Sequence, residues 1–323
     1  MRHRINMTGI PRLRSRAVPV AILAALLLAL AACSRATDAS PVPGSPLPIV
    51  TSTAILADFA RSVGGDDVTV SSIIPPGADV HTFRLTPGDS ARISRARVII
   101  TNGAGLDDFL DPAIASARND RSLRLVIADA IAPPALQHPA AASQHADDDH
   151  AAGPHLWLDP AYAMLYAERI RDALAAADPA RAASYQRNAD SYLRQIRALD
   201  EEIARALSAV PASRRVLITF HDAFAAFTDR YGFERQALAG VQGGDVTPQD
   251  VVRLLASVRQ RGIPAVFAEP QFDEKILRQA AAEAGVAVGT IRSDTLDAQT
   301  PTYLAMMRAN AASIAALLSE RSP

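Results

Sequence analysis

The chain has 323 residues, 49% of them hydrophobic and 21% charged, with 33 basic against 34 acidic side chains and a single cysteine. That length and apolar fraction suit two globular domains and exclude a chain too polar to bury a core. One cysteine excludes a disulfide framework and a cysteine-rich metal cluster, and the lack of a basic tract or aromatic stacking platform past residue 32 speaks against nucleic acid.

Arg2, Arg4, Arg12, Arg14 and Arg16 precede an apolar run from Ala17 to Leu30, which ends in Ala31, Ala32 and Cys33. A basic start, a short apolar stretch and small residues at its end form a secretory signal. The run falls short of the roughly 20 apolar residues that a bilayer span needs, and no later segment reaches that length. Residues 1–32 are therefore expected to be removed, leaving 28 basic against 34 acidic residues. The end of the run, LAAC, resembles the lipobox of bacterial lipoproteins. This assigns Cys33 to lipidation and places the product in the periplasm or on the cell surface, held to a membrane; a plain secretory signal ending in cysteine is the alternative. Lipidation accounts for a lone thiol that would otherwise risk intermolecular pairing in an exported protein. Residues 33–47, rich in Ser, Ala and Pro, then form a flexible tether.

From residue 48 the pattern changes to short apolar runs alternating with helical stretches. IVTST (49–53), VTVSSII (68–74), RVIIT (97–101) and LRLVIAD (123–129) predict strands of a parallel sheet built from βαβ units. Thr86 with Pro87 and Asp89 predicts a helix start, and Asp159 with Pro160 another. These residues, 48–177, form a first α/β lobe.

Asp178 and Pro179 open a longer helical stretch that stops at Pro211. Its apolar residues Tyr185, Ala189, Tyr192, Ile196, Leu199, Ile203, Ala206 and Val210 recur at steps of three and four. A helix over 178–210 would be roughly 48 Å long, which suits a strut joining two lobes. RVLITF (215–220), FERQALAG (233–240), AVFAEP (265–270) and VAVGTI (286–291), with helices between and a last helix over 301–318, then predict a second α/β lobe over 211–323. The fold class is thus α/β, two parallel-sheet lobes on one long helix, with a ligand cleft between them at the carboxyl ends of the strands.

Past the leader six histidines remain. His81, His155 and His221 stand alone at the ends of predicted strands, and Asp294 lies just past the last one. A lone histidine is commonly an ordinary satisfied side chain. Three imidazoles and one carboxylate, two from each lobe, would instead make a compact nitrogen and oxygen site that favours zinc over calcium or magnesium. His138, His145, Asp147, Asp148, Asp149 and His150 crowd a polar, proline-rich loop over 132–154. This loop is either a weak second zinc site that collects metal or a solvated linker.

The stretches TSTAILADFARSVGGDDVTVSSIIPPGADVHTF, HLWLDP, LITFHDAFAAFTDRYGF, VFAEPQFD and SDTL, in this order, resemble the metal-binding lipoprotein subunits of zinc and manganese ABC importers, the cluster A-I solute-binding proteins. The resemblance runs over about residues 48–318 and implies a metal buried between two lobes. It places His81 and His155 at the family's first two histidines and Asp294 at its late carboxylate. His221 falls where manganese members typically carry glutamate and zinc members histidine. Zn2+ is therefore the expected cargo, with Mn2+ as the alternative, and an ABC permease and its ATPase are the expected partners of a monomeric, non-enzymatic capture subunit. Val80, Arg84 and Leu85 depart from the family's pattern, and the missing proline at 80 removes a stiffening of the approach to His81. Asp245 is the counterpart of an acidic segment near the site, without an assigned ligand role, and Trp157 is expected to pack beside His155. A zinc hydrolase is the rival reading, with Asp222 or Glu269 as its base, although Asp294 would close the position that water needs. A surface adhesin is a third, with no sequence feature of its own.

Overall fold

The computed structural model describes residues 44–131, 153–240 and 246–319. The leader with Cys33, the histidine and acid cluster of 138–150, and Asp245 lie outside the described residues. The first sheet contains β1 (Leu47–Thr51), β2 (Val68–Ser72), β3 (Val98–Thr101) and β4 (Leu123–Val126), all parallel, in the order β2-β1-β3-β4. The second contains β5 (Val216–His221), β6 (Glu234–Ala239), β7 (Ala265–Ala268) and β8 (Ala287–Thr290), also parallel, in the order β6-β5-β7-β8. The two sheets thus repeat one topology. Their central strands β3, β5 and β7 are buried along their whole length, whereas the edge strands β2 and β6 are partly open. Strands covered by helices on both faces read as continuous apolar runs, which is why VIIT and AVFA were recognisable without alternation.

Helices α1 (Ala54–Gly64), α2 (Pro87–Arg95), α3 (Asp111–Ala117), α4 (Ile127–Ile131) and α5 (Pro160–Ala177) belong to the first lobe. The start at Thr86 is a full capping box, in which the Thr86 backbone N–H donates to Asp89 Oδ2 at 2.7 Å. Asp159 caps α5 by accepting the Ala161 N–H at 2.7 Å, with Pro160 in the first turn. Strand LRLVIAD is shorter than its sequence suggests, because Ile127–Ile131 turn into α4.

The long helix, α6, runs over Ala182–Ser208, about 40 Å at 1.5 Å per residue. It is shorter than the stretch 178–210 because Asp178 does not cap it. The Asp178 N–H still bonds back to Leu174 O at 2.8 Å, its carboxylate accepts from Arg181 at 2.6 Å, and Pro179–Arg181 make a 3-10 turn that rounds the corner from α5. Tyr185, Ala189, Tyr192, Leu193, Ile196, Leu199, Ile203 and Leu207 form its buried face.

The second lobe adds α7 (Ala225–Tyr231), α8 (Pro248–Arg261), α9 (Lys275–Ala284) and α10 (Tyr303–Leu318). Helix α6 packs on α1 and α5 from the first lobe and on α10 from the second, so it supports both.

Further bonds cross directly between the lobes. Asp58 on α1 accepts the Tyr303 backbone N–H at the start of α10 at 2.8 Å, where a carboxylate also meets the positive end of the helix. The Tyr303 hydroxyl donates to Trp157 O at 2.9 Å, and its ring lies 4.8 Å from Phe59. Gly77 N donates to Thr295 Oγ1 at 2.6 Å. Tyr303 and Trp157 are both buried, so Tyr303→Phe leaves the Trp157 carbonyl without this donor in a dry interface. The expected cost is about 1–3 kcal/mol, measured as a lower urea midpoint of the metal-free protein with an unchanged slope. An unchanged midpoint would show that the hydroxyl does not brace the lobes.

Candidate metal centre

His221 is the last residue of β5 and is fully buried. Asp294 follows β8 by four residues in a buried turn from Arg292 to Leu296. His81 lies nine residues beyond β2, in a run of turns. Asp79 fixes its approach, accepting the His81 N–H at 2.9 Å and the Thr82 hydroxyl at 2.8 Å. Val80, which stands where proline was expected, is 1% exposed and anchors the turn by burial instead. His155 does not end a strand. It opens the 3-10 turn Leu156–Leu158 that leads into α5, since HLWLDP is four residues followed by a helix cap.

These four side chains meet. Each offers a ligand atom, and all four atoms lie within 4.8 Å of one another. Asp294 is at the centre: its Oδ1 is 3.1 Å from His155 Nε2, and its Oδ2 is 3.2 Å from His221 Nε2 and 3.6 Å from His81 Nε2. The three rings stand edge to face, with centroids 5.3 to 6.1 Å apart. His155 Nε2, His221 Nε2 and both Asp294 oxygens are buried and close together, yet none meets hydrogen-bond geometry. Groups that face a common centre rather than each other look like this. A tetrahedral ion with bonds of about 2.0 Å sets its ligand atoms roughly 3.3 Å apart; the nitrogens of His221 and His81 stand 3.2 and 3.6 Å from the shared Oδ2, and the whole set lies within 4.8 Å.

The charges agree with that reading. Burial opposes a charge on His221, but Glu269 and Asp294 overcome it and hold its pKa up at about 10. Burial also opposes charge on Asp294, and His155 and His221 outweigh it, holding the carboxyl well below the usual range. A fixed anion among imidazoles is what a divalent cation needs.

The sequence alone offers Glu269 only as a possible base. It is fully buried behind His221, whose Nδ1 lies 2.9 Å from its carboxylate. The signal was present, since AVFAE places an acid at the end of an apolar strand; pairing of Thr219 with Phe267 brings His221 and Glu269 side by side two residues on. Asp222, the other possible base, is engaged by Arg235 at 2.8 Å. Trp157 does pack beside His155, with ring centroids 5.4 Å apart, and its indole N–H also donates to Ser293 O at 2.8 Å, next to Asp294.

Residues 49–317 match the family described as the periplasmic zinc-uptake complex component A. The iron-binding protein YfeA of Yersinia pestis is 33% identical over 276 residues, covering 83% of this chain and 85% of its own. A manganese-binding lipoprotein of Halalkalibacterium halodurans is 28% identical over 304 residues, covering 93% and 97%. Among solved structures, the periplasmic zinc-binding protein TroA of Treponema pallidum superposes with a TM-score of 0.77 at 30% identity, over 86% of this chain and 100% of that one. Matched along most of its length in sequence and in fold, the chain belongs to this family, the extracytoplasmic metal-binding subunits of ABC importers.

Proposed function

We propose that the chain captures one zinc ion through His81, His155, His221 and Asp294 and delivers it to a membrane permease driven by its ATPase. The observation that carries this reading is the convergence of three imidazoles and one carboxylate within 4.8 Å in a buried interlobe site. A nitrogen-rich tetrahedral set suits zinc, while manganese prefers more oxygen. Relatives named for iron and for manganese bear on the choice of cargo, and Mn2+ is the alternative. The same reading makes Cys33 the lipid anchor, residues 33–47 the tether, and His138, His145, Asp147, Asp148, Asp149 and His150 a weak collecting site. It also divides the remaining chain into lobes 48–177 and 211–323 around the linking segment 178–210, whose helix is Ala182–Ser208, acting as a monomer.

Competition with a chelator of known affinity tests the ligand set. His221→Ala removes a ligand atom and is expected to weaken zinc by more than the roughly 10–100-fold typical of losing an outer hydrogen-bond partner. Zinc bound as tightly as by the parent would overturn the assignment. His221→Glu exchanges a borderline nitrogen for a hard oxygen and is expected to raise the manganese to zinc binding ratio in competition dialysis. An unmoved ratio would give the choice to cavity shape instead.

The pH dependence follows from the raised pKa of His221. Because the folded value of about 10 lies above the ordinary 6.5, this group stabilises the metal-free fold fully below about 6.5 and loses that contribution as pH rises through about 10. Zinc must displace the proton, so this group makes apparent affinity fall about tenfold per pH unit on acidification below the folded pKa. Calorimetric titration near neutrality, in buffers of different ionisation heat, is expected to show proton release on zinc uptake. Uptake without release would contradict a protonated His221 in the metal-free state.

A further inference from the structure

Glu269 is a buried carboxylate outside the four-ligand set. It is 0% exposed, and among the described residues its ion-pair partner is His221, with no lysine or arginine beside it. Burying a carboxylate without a strong cation is costly unless donors surround it. Here four donors converge. The His221 backbone N–H reaches Oε1 at 3.1 Å, His221 Nδ1 lies at 2.9 Å, the Ser293 hydroxyl donates to Oε2 at 2.6 Å, and Gln271 Nε2 reaches Oε2 at 3.4 Å. Gln271 also donates to Ser293 Oγ at 2.9 Å, which turns the hydroxyl hydrogen toward Glu269.

An acceptor among four donors dictates the state of the ring. If Glu269 only accepts, His221 Nδ1 must carry a hydrogen, and the lone pair available to an ion is on Nε2, the atom 3.2 Å from Asp294. The backbone bond to the same residue fixes the ring's origin as well as its plane. Phe272, with its ring centroid 4.9 Å from that of His221, holds the ring from another side. Through the Ser293 hydroxyl the same carboxylate reaches the Asp294 turn, and the Ser293 carbonyl takes the Trp157 indole N–H at 2.8 Å.

We infer that Glu269 is the positioning residue of the metal site: it holds His221 in the Nδ1–H form with Nε2 aimed at the ion, and through Ser293 it ties that ring to the turn that carries Asp294. This rests on the ligand assignment above. Glutamine at 269 is the informative replacement, because it keeps the size but puts an amide donor among four donors.

The test is a double-mutant cycle on zinc affinity, read by chelator competition, with Glu269→Gln, His221→Ala and the double variant, all confirmed as folded by circular dichroism. Glu269→Gln is expected to weaken zinc about 10–100-fold in the parent and to have almost no effect in the His221→Ala background, where no ring is left to position. The cobalt-loaded Glu269→Gln protein is expected to show an altered visible spectrum. Unchanged zinc affinity in Glu269→Gln would overturn the inference. An equal loss in both backgrounds would also overturn it, because Glu269 would then act on the fold and not through His221. If His221→Ala itself leaves zinc affinity intact, the ligand assignment falls first and this inference with it. Should Glu269→Gln not fold, Ser293→Ala removes one of the four donors while leaving Glu269 itself in place. A several-fold weakening confined to the His221 background supports the inference, and none, or the same loss in both backgrounds, refutes it.

Discussion

One buried carboxylate holds the design together. Asp294 has a side chain only 1% exposed, surrounded by imidazoles from both lobes at 3.1 to 3.6 Å. A lone buried anion would be costly, so the closed arrangement requires positive charge at this point, supplied by protons or by a metal ion. That makes closure and metal binding parts of one electrostatic balance. His81 and His155 come from one lobe, His221 and Asp294 from the other, and neither pair alone completes the set.

The shared topology explains why the four residues can meet. Both sheets have the order of an open, all-parallel α/β fold whose strand order reverses beside the first strand, β1 in one lobe and β5 in the other. Ligand sites in such sheets form outside the carboxyl ends of the strands. Two such ends turned toward each other make a cleft walled by buried strands, and the site inherits their rigidity. His221 and Glu269 show this most directly, since the first ends and the second immediately follows a fully buried central strand, and the register between those strands puts them in contact. His81 and His155 are held differently. Both lie on turns, so their positions depend on particular bonds: Asp79 to the His81 backbone, and the Trp157 indole to Ser293.

This difference also marks what could be read from the sequence. The buried strands were legible because a strand covered on both faces is a continuous apolar run, and helix starts were legible where Thr86, Pro87 and Asp89 or Asp159 and Pro160 stand together. The ligands were legible as isolated histidines beside such runs, and the resemblance to metal-binding subunits gave their grouping. Asp178 misled as a cap because the same residue can close a corner by taking a guanidinium, a choice that depends on Arg181 and on the preceding helix. His155 misled as a strand end because a short apolar run before Asp-Pro fits a 3-10 turn equally well. Glu269 was read as a possible base, since a lone acid at a strand end carries no sign of which donors will surround it. Its role depends on a contact between strands 48 residues apart in sequence.

The long helix sets the limits within which the site can open. Helix α6 packs on α1, α5 and α10, and Asp58, Tyr303 and Trp157 add bonds between the lobes. With so many buried contacts at the base, large independent motion of whole lobes would break many bonds at once. The turn around Asp294 is joined to the first lobe by fewer: Trp157 to Ser293 on one side and Gly77 to Thr295 on the other. Both bonds flank the carboxylate by a single residue. A cargo protein must hold its ion tightly and still give it up, and an ion bound by rigid strands alone would be hard to release. Asp294 sits on a turn latched to the other lobe by two hydrogen bonds, so opening there would break far fewer bonds than parting the whole lobes, while His221 is held at the end of its strand beside Glu269.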